Sequence, residues 1–98
     1  MKKILFTLAL LVSFSSFGQT SAQYFKSGFD KFEAKDYYGA IADYTKAIEL
    51  DPNDRSAYKN RGITKEDLGD LNGACADWKK AARLGDADAA KWVANQCN

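Results

Sequence analysis

The sequence predicts an all-α fold in which antiparallel helix hairpins stack side by side as an α-solenoid. The chain aligns with itself at an offset of 34 residues, and 12 of the 34 positions in residues 21–54 are identical in residues 55–88. Each of these two units contains two helix-length segments separated by a short break. A period of this length indicates supersecondary units that pack on their neighbours, in place of one closed core.

The composition narrows the functions that such a fold could serve. The 98 residues include 14 Lys and Arg against 13 Asp and Glu, so we expect no nucleic-acid partner. Histidine is absent and there are two cysteines, which excludes imidazole-dependent nucleophiles and the common zinc sites. We therefore expect a protein that is not an enzyme, with no catalytic residues, no metal site and no cofactor.

The first 18 residues have the three parts of a secretory signal peptide. Lys2 and Lys3 give a basic start, an uncharged apolar run follows at residues 4–12, and small residues lead to Gly18. We expect cleavage after Gly18, a mature domain of residues 19–98, and export to the periplasm or the medium of a bacterium. The apolar run is shorter than the about 20 residues of a membrane-spanning helix. We therefore expect no stable membrane anchor after cleavage.

In the first unit, helices are predicted over residues 22–34 and 37–50. One face of the second helix carries apolar residues at the 3.6-residue period: Ala40, Tyr44, Ala47 and Ile48. Pro52 cannot continue this helix, and the Asn and Asp residues beside it can cap the next one. A calcium loop is not expected there, because the glycine and glutamate that it requires are missing from their positions.

The second unit repeats this pattern, with helices predicted over residues 56–68 and 71–84. A fifth helix, residues 87–96, is expected to cap the array, because the ends of a repeat stack are poorly buried. Its face toward the preceding helix is expected to carry four apolar residues: Ala89, Ala90, Val93 and Ala94. Lys91 and Asn95 would then face water.

The repeated residues resemble those of the tetratricopeptide repeat (TPR) family. The family's alanine, an aromatic residue four positions on and a second alanine occur twice: Ala40, Tyr44 and Ala47, then Ala74, Trp78 and Ala81. Its leading aromatic and glycine also occur twice: Tyr24 and Gly28, then Tyr58 and Gly62. Its closing proline occurs once, as Pro52 at the end of the first unit. The resemblance implies a right-handed α-solenoid of two TPR repeats, residues 21–54 and 55–88, plus a C-terminal capping helix at 87–96.

Five positions depart from the family pattern, among them Asp86, which stands where the second repeat would have its closing proline. Ser27 and Arg61 replace a leucine before the glycine, and Lys31 and Lys65 replace a second aromatic residue. We expect these changes to weaken the packing of the first helix in both units. The acidic residues at equivalent places in the two second helices are expected to be solvated charges and not a catalytic pair: Asp43 and Asp77.

The spacing of the two cysteines predicts a disulfide bond. Cys75 lies 11 residues before Asp86 and Cys97 lies 11 after it, so an antiparallel hairpin that turns near Asp86 places them side by side. An oxidising compartment would allow the bond to form. The alternative is that both cysteines stay reduced, as small buried apolar side chains.

The family resemblance implies that the first helices of the repeats line a concave groove that holds a segment of a partner. Those helices supply the candidate partner-binding residues: Phe25, Phe29, Phe32, Lys59, Asn60, Ile63 and Glu66. The three phenylalanines share one helix face, where we expect an exposed apolar stripe of the kind that marks an interface. The family's carboxylate clamp is not expected, because Phe25 and Phe29 replace its first lysine and asparagine.

The expected function is therefore protein–protein interaction, by an exported scaffold or adaptor that binds a protein or peptide partner. The main alternative is a structural protein that forms a homodimer through the Phe25, Phe29 and Phe32 stripe. Two further alternatives stay open. The stripe could pack within its own molecule, or the chain could carry a small apolar ligand.

Overall fold

A computed structural model describes residues 18–98 of the chain. The export signal predicted at residues 1–18 lies outside this range, apart from Gly18. Within the described range every helix is too short or too polar to cross a bilayer.

Five α-helices follow one another along the described chain: α1 Ser21–Glu33, α2 Tyr37–Leu50, α3 Arg55–Asp67, α4 Leu71–Arg83 and α5 Ala87–Gln96. Each helix packs on the next, so that α1 and α2 form one hairpin, α3 and α4 form a second, and α5 covers the end of the second. Residues 18–98 contain no strand. The predicted all-α solenoid is confirmed, and the predicted helix ends agree with the observed ones to within one residue.

Aspartate side chains determine where four of the helices begin. The Asp54 carboxylate accepts the backbone N–H groups of Ser56 (3.1 Å) and Ala57 (3.2 Å), and so starts α3 where the sequence predicts. The same role falls to the N-cap residues of α2, α4 and α5: Asp36, Asp70 and Asp86. Each carboxylate satisfies a backbone amide that the first helical turn leaves without a partner.

The two helices within each hairpin are joined through a residue with left-handed backbone. Gly69 (φ 85°) has this role in the second repeat, whereas Lys35 (φ 65°) has it in the first. A residue with a Cβ atom is strained in this backbone conformation, whereas glycine is not. We expect Lys35→Gly to raise the free energy of unfolding by about 0.5–1 kcal/mol, measured by urea denaturation. The reciprocal change Gly69→Lys should lower the free energy of unfolding. Changes of the same sign in the two variants would contradict this interpretation.

Each hairpin is closed by an aromatic ring that lies on a glycine. Tyr44 and Trp78, each 1% exposed, pack on Gly28 and Gly62 respectively. A Cβ atom at Gly62 would lie 2.6 Å from Nε1 of Trp78, which is closer than packed atoms approach. Glycine at this place therefore lets the indole ring reach the α3 backbone.

The capping helix α5 packs through a different face from the one predicted. Ala89 is buried and Val93 half-buried, as expected, but Ala90 and Ala94 are exposed. Trp92 packs instead, with its ring centroid 5.2 Å from that of Trp78. A single indole buries more apolar surface than two alanine methyl groups, so the helix turns this face toward α4.

The disulfide bond expected between Cys75 and Cys97 is present. It joins α4 to the residue that follows α5, with a Cα–Cα distance of 5.7 Å. Cys75 belongs to the same core as Trp78, Ala81 and Ala89. The bond and the paired indole rings therefore hold the cap against the second hairpin together.

Candidate functional site

An open apolar pocket of about 90 Å³ lies between the first helices of the two repeats. It is lined by residues from α1, α2 and α3: Phe29, Phe32, Tyr44, Asn60 and Ile63. Four of these were predicted from the sequence. Tyr44 was assigned to the core alone, although its ring also forms part of the pocket. The structure thus brings together candidate residues that lie up to 34 positions apart in the chain.

The expected stripe of three exposed phenylalanines is not what the structure contains. Phe29 is exposed (45%), but Phe25 and Phe32 are half-buried. Phe25 lies 5.6 Å from Tyr44, centroid to centroid, and Phe32 lies 5.7 Å from Tyr37. The prediction is wrong for these two residues because aromatic rings on α2 cover part of the same α1 face.

Tyr44 keeps the floor of the pocket uncharged. Burial raises the pKa of the Tyr44 hydroxyl, and a side-chain hydrogen bond with Asn60 opposes the shift. The negative charges of Asp30 and Glu33 raise that pKa further. The phenol therefore stays protonated at neutral pH, and the pocket presents mainly apolar surface.

A second pocket, of about 290 Å³, adjoins the first and shares Ile63 with it. Its lining comes from α3, α4 and α5: Ile63, Glu66, Trp78, Trp92 and Gln96. Glu66 was a candidate from the sequence, but Trp92 was missed. Its place three residues after the buried Ala89 is the helical signal that could have found it.

Lys59, the remaining candidate on α3, lines neither pocket. Its ammonium group lies 3.4 Å from a carboxylate oxygen of Asp86 and 3.9 Å from one of Asp88. Lys59 therefore ties α3 to the N-terminus of α5, where it is 24% exposed as a side chain. This pairing gives Lys59 a structural role, and its contact with a partner stays a prediction.

The comparison with protein families supplies the remaining observation. A family model described as TPR repeat matches residues 30–69, which include all of α2 and α3. The chain contains a tetratricopeptide repeat. Repeats of this family generally mediate protein–protein interaction, and the family is typically non-enzymatic. A search of curated proteins gave no match to the sequence.

The departures from the TPR family pattern form a polar network in each hairpin. Asp77 is buried and accepts two hydrogen bonds from the Arg61 guanidinium, at 2.8 and 2.9 Å. The Lys65 ammonium lies 3.1 Å from the same carboxylate. The expectation that Asp77 is solvated is wrong, because the two α3 side chains that replace apolar family residues reach across to α4.

The equivalent network in the first TPR unit is smaller. Asp43 accepts a hydrogen bond from the Ser27 hydroxyl, and the Lys31 ammonium lies 3.0 Å from the same carboxylate. The Asp43 side chain is 15% exposed, so it too is paired and largely buried rather than solvated. The polar residues at these four α1 and α3 positions therefore replace apolar packing with ion pairs and hydrogen bonds.

Arg61 also joins the two repeats. Its second terminal nitrogen donates a hydrogen bond of 3.0 Å to the Thr45 hydroxyl on α2. The hydrogen bonds with Asp77 raise the pKa of Arg61, and burial only partly opposes them. The guanidinium therefore stays charged and links three helices: α2, α3 and α4.

No group of three or more His, Cys, Asp or Glu side chains within residues 18–98 is placed to hold a metal ion. The two adjoining pockets are features that a partner could use.

Proposed function

We propose that this chain is a non-enzymatic adaptor, exported from a bacterial cell, which binds a short polypeptide segment in its concave groove. The observation that carries the proposal is the pocket of Phe29, Phe32, Tyr44, Asn60 and Ile63. It is open, apolar and formed between the two repeats, so it requires the stacked arrangement. An interaction role agrees with what TPR repeats generally do.

The size of this pocket indicates what it would hold. A closed apolar cavity of about 150 Å³ binds benzene, so a pocket of about 90 Å³ suits a branched aliphatic side chain. Pockets for small-molecule ligands usually measure about 300–1,000 Å³. The pocket therefore supports recognition of one side chain of a polypeptide better than it supports a carrier of free apolar molecules.

Export is supported by the residues and by the disulfide bond. The basic start and apolar run of residues 1–18 are typical of secretory signals, and a Cys75–Cys97 bond is stable in oxidising compartments. We therefore propose that the adaptor acts in the periplasm or outside the cell.

A selection from a displayed random peptide library tests the proposed function. The full chain is expressed, and the purified protein is used to select peptides. We expect the selected peptides to share an aliphatic residue. Phe29→Asp should weaken their binding at least about ten-fold, because it places a carboxylate at an apolar contact.

Tyr38→Asp is the matched control for this experiment. Tyr38 is an exposed aromatic residue (76%) that lines neither pocket, so binding should change less than about two-fold. Failure to select any peptide, or equal losses in the two variants, would contradict the proposed function.

The homodimer alternative has less support than the adaptor. A stable interface usually buries about 1,200–2,000 Å², and the half-buried rings of Phe25 and Phe32 offer only part of their surface. Light scattering of the purified protein distinguishes the two. A dimer that Phe29→Asp dissociates would favour the homodimer.

A further inference from the structure

The two pockets are copies of one site, related by the repeat. The first is formed by α1, α2 and α3, and the second by α3, α4 and α5. An offset of 34 residues relates Phe29 to Ile63 and Phe32 to Glu66, each in the corresponding wall. The same offset relates the two buried rings beneath them: Tyr44 and Trp78.

The helix α5 takes the place in the second pocket that α3 has in the first. Ala57 and Ala89 each lie three residues after the N-cap of their helix, and both are fully buried. Six residues after the same caps stand Asn60 in α3 and Trp92 in α5. These two residues therefore occupy equivalent positions in the two pockets.

The copies differ in their chemistry. In the second pocket a carboxylate, Glu66, stands where the first has the ring of Phe32. An indole, Trp92, stands where the first has the amide of Asn60. The second pocket is also larger, at about 290 Å³. A carboxylate beside an aromatic ring favours a cation, through charge-assisted hydrogen bonds and through the negative face of the ring.

Glu66 is available for such a cation. Within residues 18–98 it has no ion-pair partner, and the neighbouring cations of α3 are engaged elsewhere. Lys59 lies 3.4 Å from Asp86, while Arg61 and Lys65 both pair with Asp77. The Glu66 carboxylate is therefore available to pair with a cation from outside the described chain.

We propose that the second pocket binds an arginine or lysine side chain of the segment whose aliphatic side chain occupies the first pocket. This inference rests on the proposed function and names the class of partner: a short segment with a basic residue close to an aliphatic one. The two residues must be close because Ile63 belongs to both pockets. Arginine fits better than lysine, because its planar guanidinium can stack on the indole and bind the carboxylate through two nitrogens.

The selected peptides described above provide the probe. We expect them to contain a basic residue at a fixed spacing from the aliphatic one. A synthetic peptide with that shared sequence is titrated against the full-chain protein and against Glu66→Gln, and Kd is measured by calorimetry. Loss of the charge should raise Kd about ten-fold. The same peptide with citrulline in place of arginine should bind the unmodified protein about ten-fold more weakly and should be insensitive to Glu66→Gln.

Asp67→Asn is the matched control, because it removes the same charge from the next, exposed position of the helix and should change Kd less than about two-fold. Circular dichroism melting of both variants ensures that the comparison is made on folded protein. Peptides that bind with an aliphatic residue but no basic residue would overturn this inference and leave the proposed function standing. Equal effects of Glu66→Gln and Asp67→Asn would do the same. The absence of any selected peptide would overturn both.

Discussion

Replacing Arg61 by leucine is expected to lower the free energy of unfolding by about 3 kcal/mol, although leucine is the residue that the family pattern favours. The change removes both hydrogen bonds to the buried Asp77 carboxylate and the one to Thr45. The Asp77 carboxylate keeps the Lys65 ammonium at 3.1 Å but loses the guanidinium that binds both of its oxygens. Breaking such a buried pair costs far more than an exposed pair contributes. Urea denaturation followed by circular dichroism measures the effect.

Two further variants make this prediction specific. Lys79→Leu removes an exposed cation from α4 and should change stability by less than about 0.5 kcal/mol. The double variant Arg61→Leu with Asp77→Ala should recover more than half of the loss, because the buried carboxylate that lost its guanidinium partner is gone as well. A loss below about 1 kcal/mol in the single variant, or no recovery in the double variant, would show that the network is not important for stability.

Removal of the disulfide bond is the second change with a large expected effect. The bond closes a segment with a sequence separation of 22 residues, and the loop-entropy relation gives about 3 kcal/mol for a loop of this length. The double variant Cys75→Ala with Cys97→Ala should therefore lose about 3 kcal/mol of unfolding free energy. Emission from Trp78 and Trp92 should shift to longer wavelength as α5 separates from α4.

Chemical reduction provides the control for the disulfide prediction. A phosphine reductant should destabilise the unmodified protein to a similar extent and leave the double variant unaffected. Mass spectrometry of protein purified without reductant should show a gain of two hydrogen atoms on reduction. Protein that gains no hydrogen would contain the reduced cysteines that the sequence also allowed.

The helices were predictable from the sequence because their limits depend on local chemistry. The aspartates that precede α2, α3, α4 and α5 act on the first turn of their own helix, so the chain within a few residues contains the whole signal. The cysteine pairing could be predicted for a related reason. Equal distances from one turn place two residues side by side in any antiparallel hairpin.

Features that depend on how helices rotate against one another could not be predicted in this way. The choice of Trp92 over Ala90 and Ala94 depends on the surface of α4, and the burial of Phe25 depends on the ring of Tyr44. Periodicity identifies the apolar residues of a helix, but it does not say which of them meets the largest neighbour.

The burial of Asp77 was missed for a different reason. An acidic residue on the polar side of a helix is usually solvated, and its partners Arg61 and Lys65 lie on another helix. A signal was nevertheless present, because the polar replacements before the glycine, after it and on the second helix recur in both repeats. Departures from the family pattern that recur together at equivalent positions of both repeats indicate side chains that contact each other.

Photocrosslinking in the native host tests most directly whether the proposed groove is where a polypeptide binds. A photoreactive amino acid is placed at position 29, beside the apolar pocket, or at position 38, which is exposed but lines neither pocket. We expect position 29 to capture a defined polypeptide that position 38 does not, and the contacted segment to contain an aliphatic residue. The same captured proteins at both positions, or none at position 29, would contradict the account.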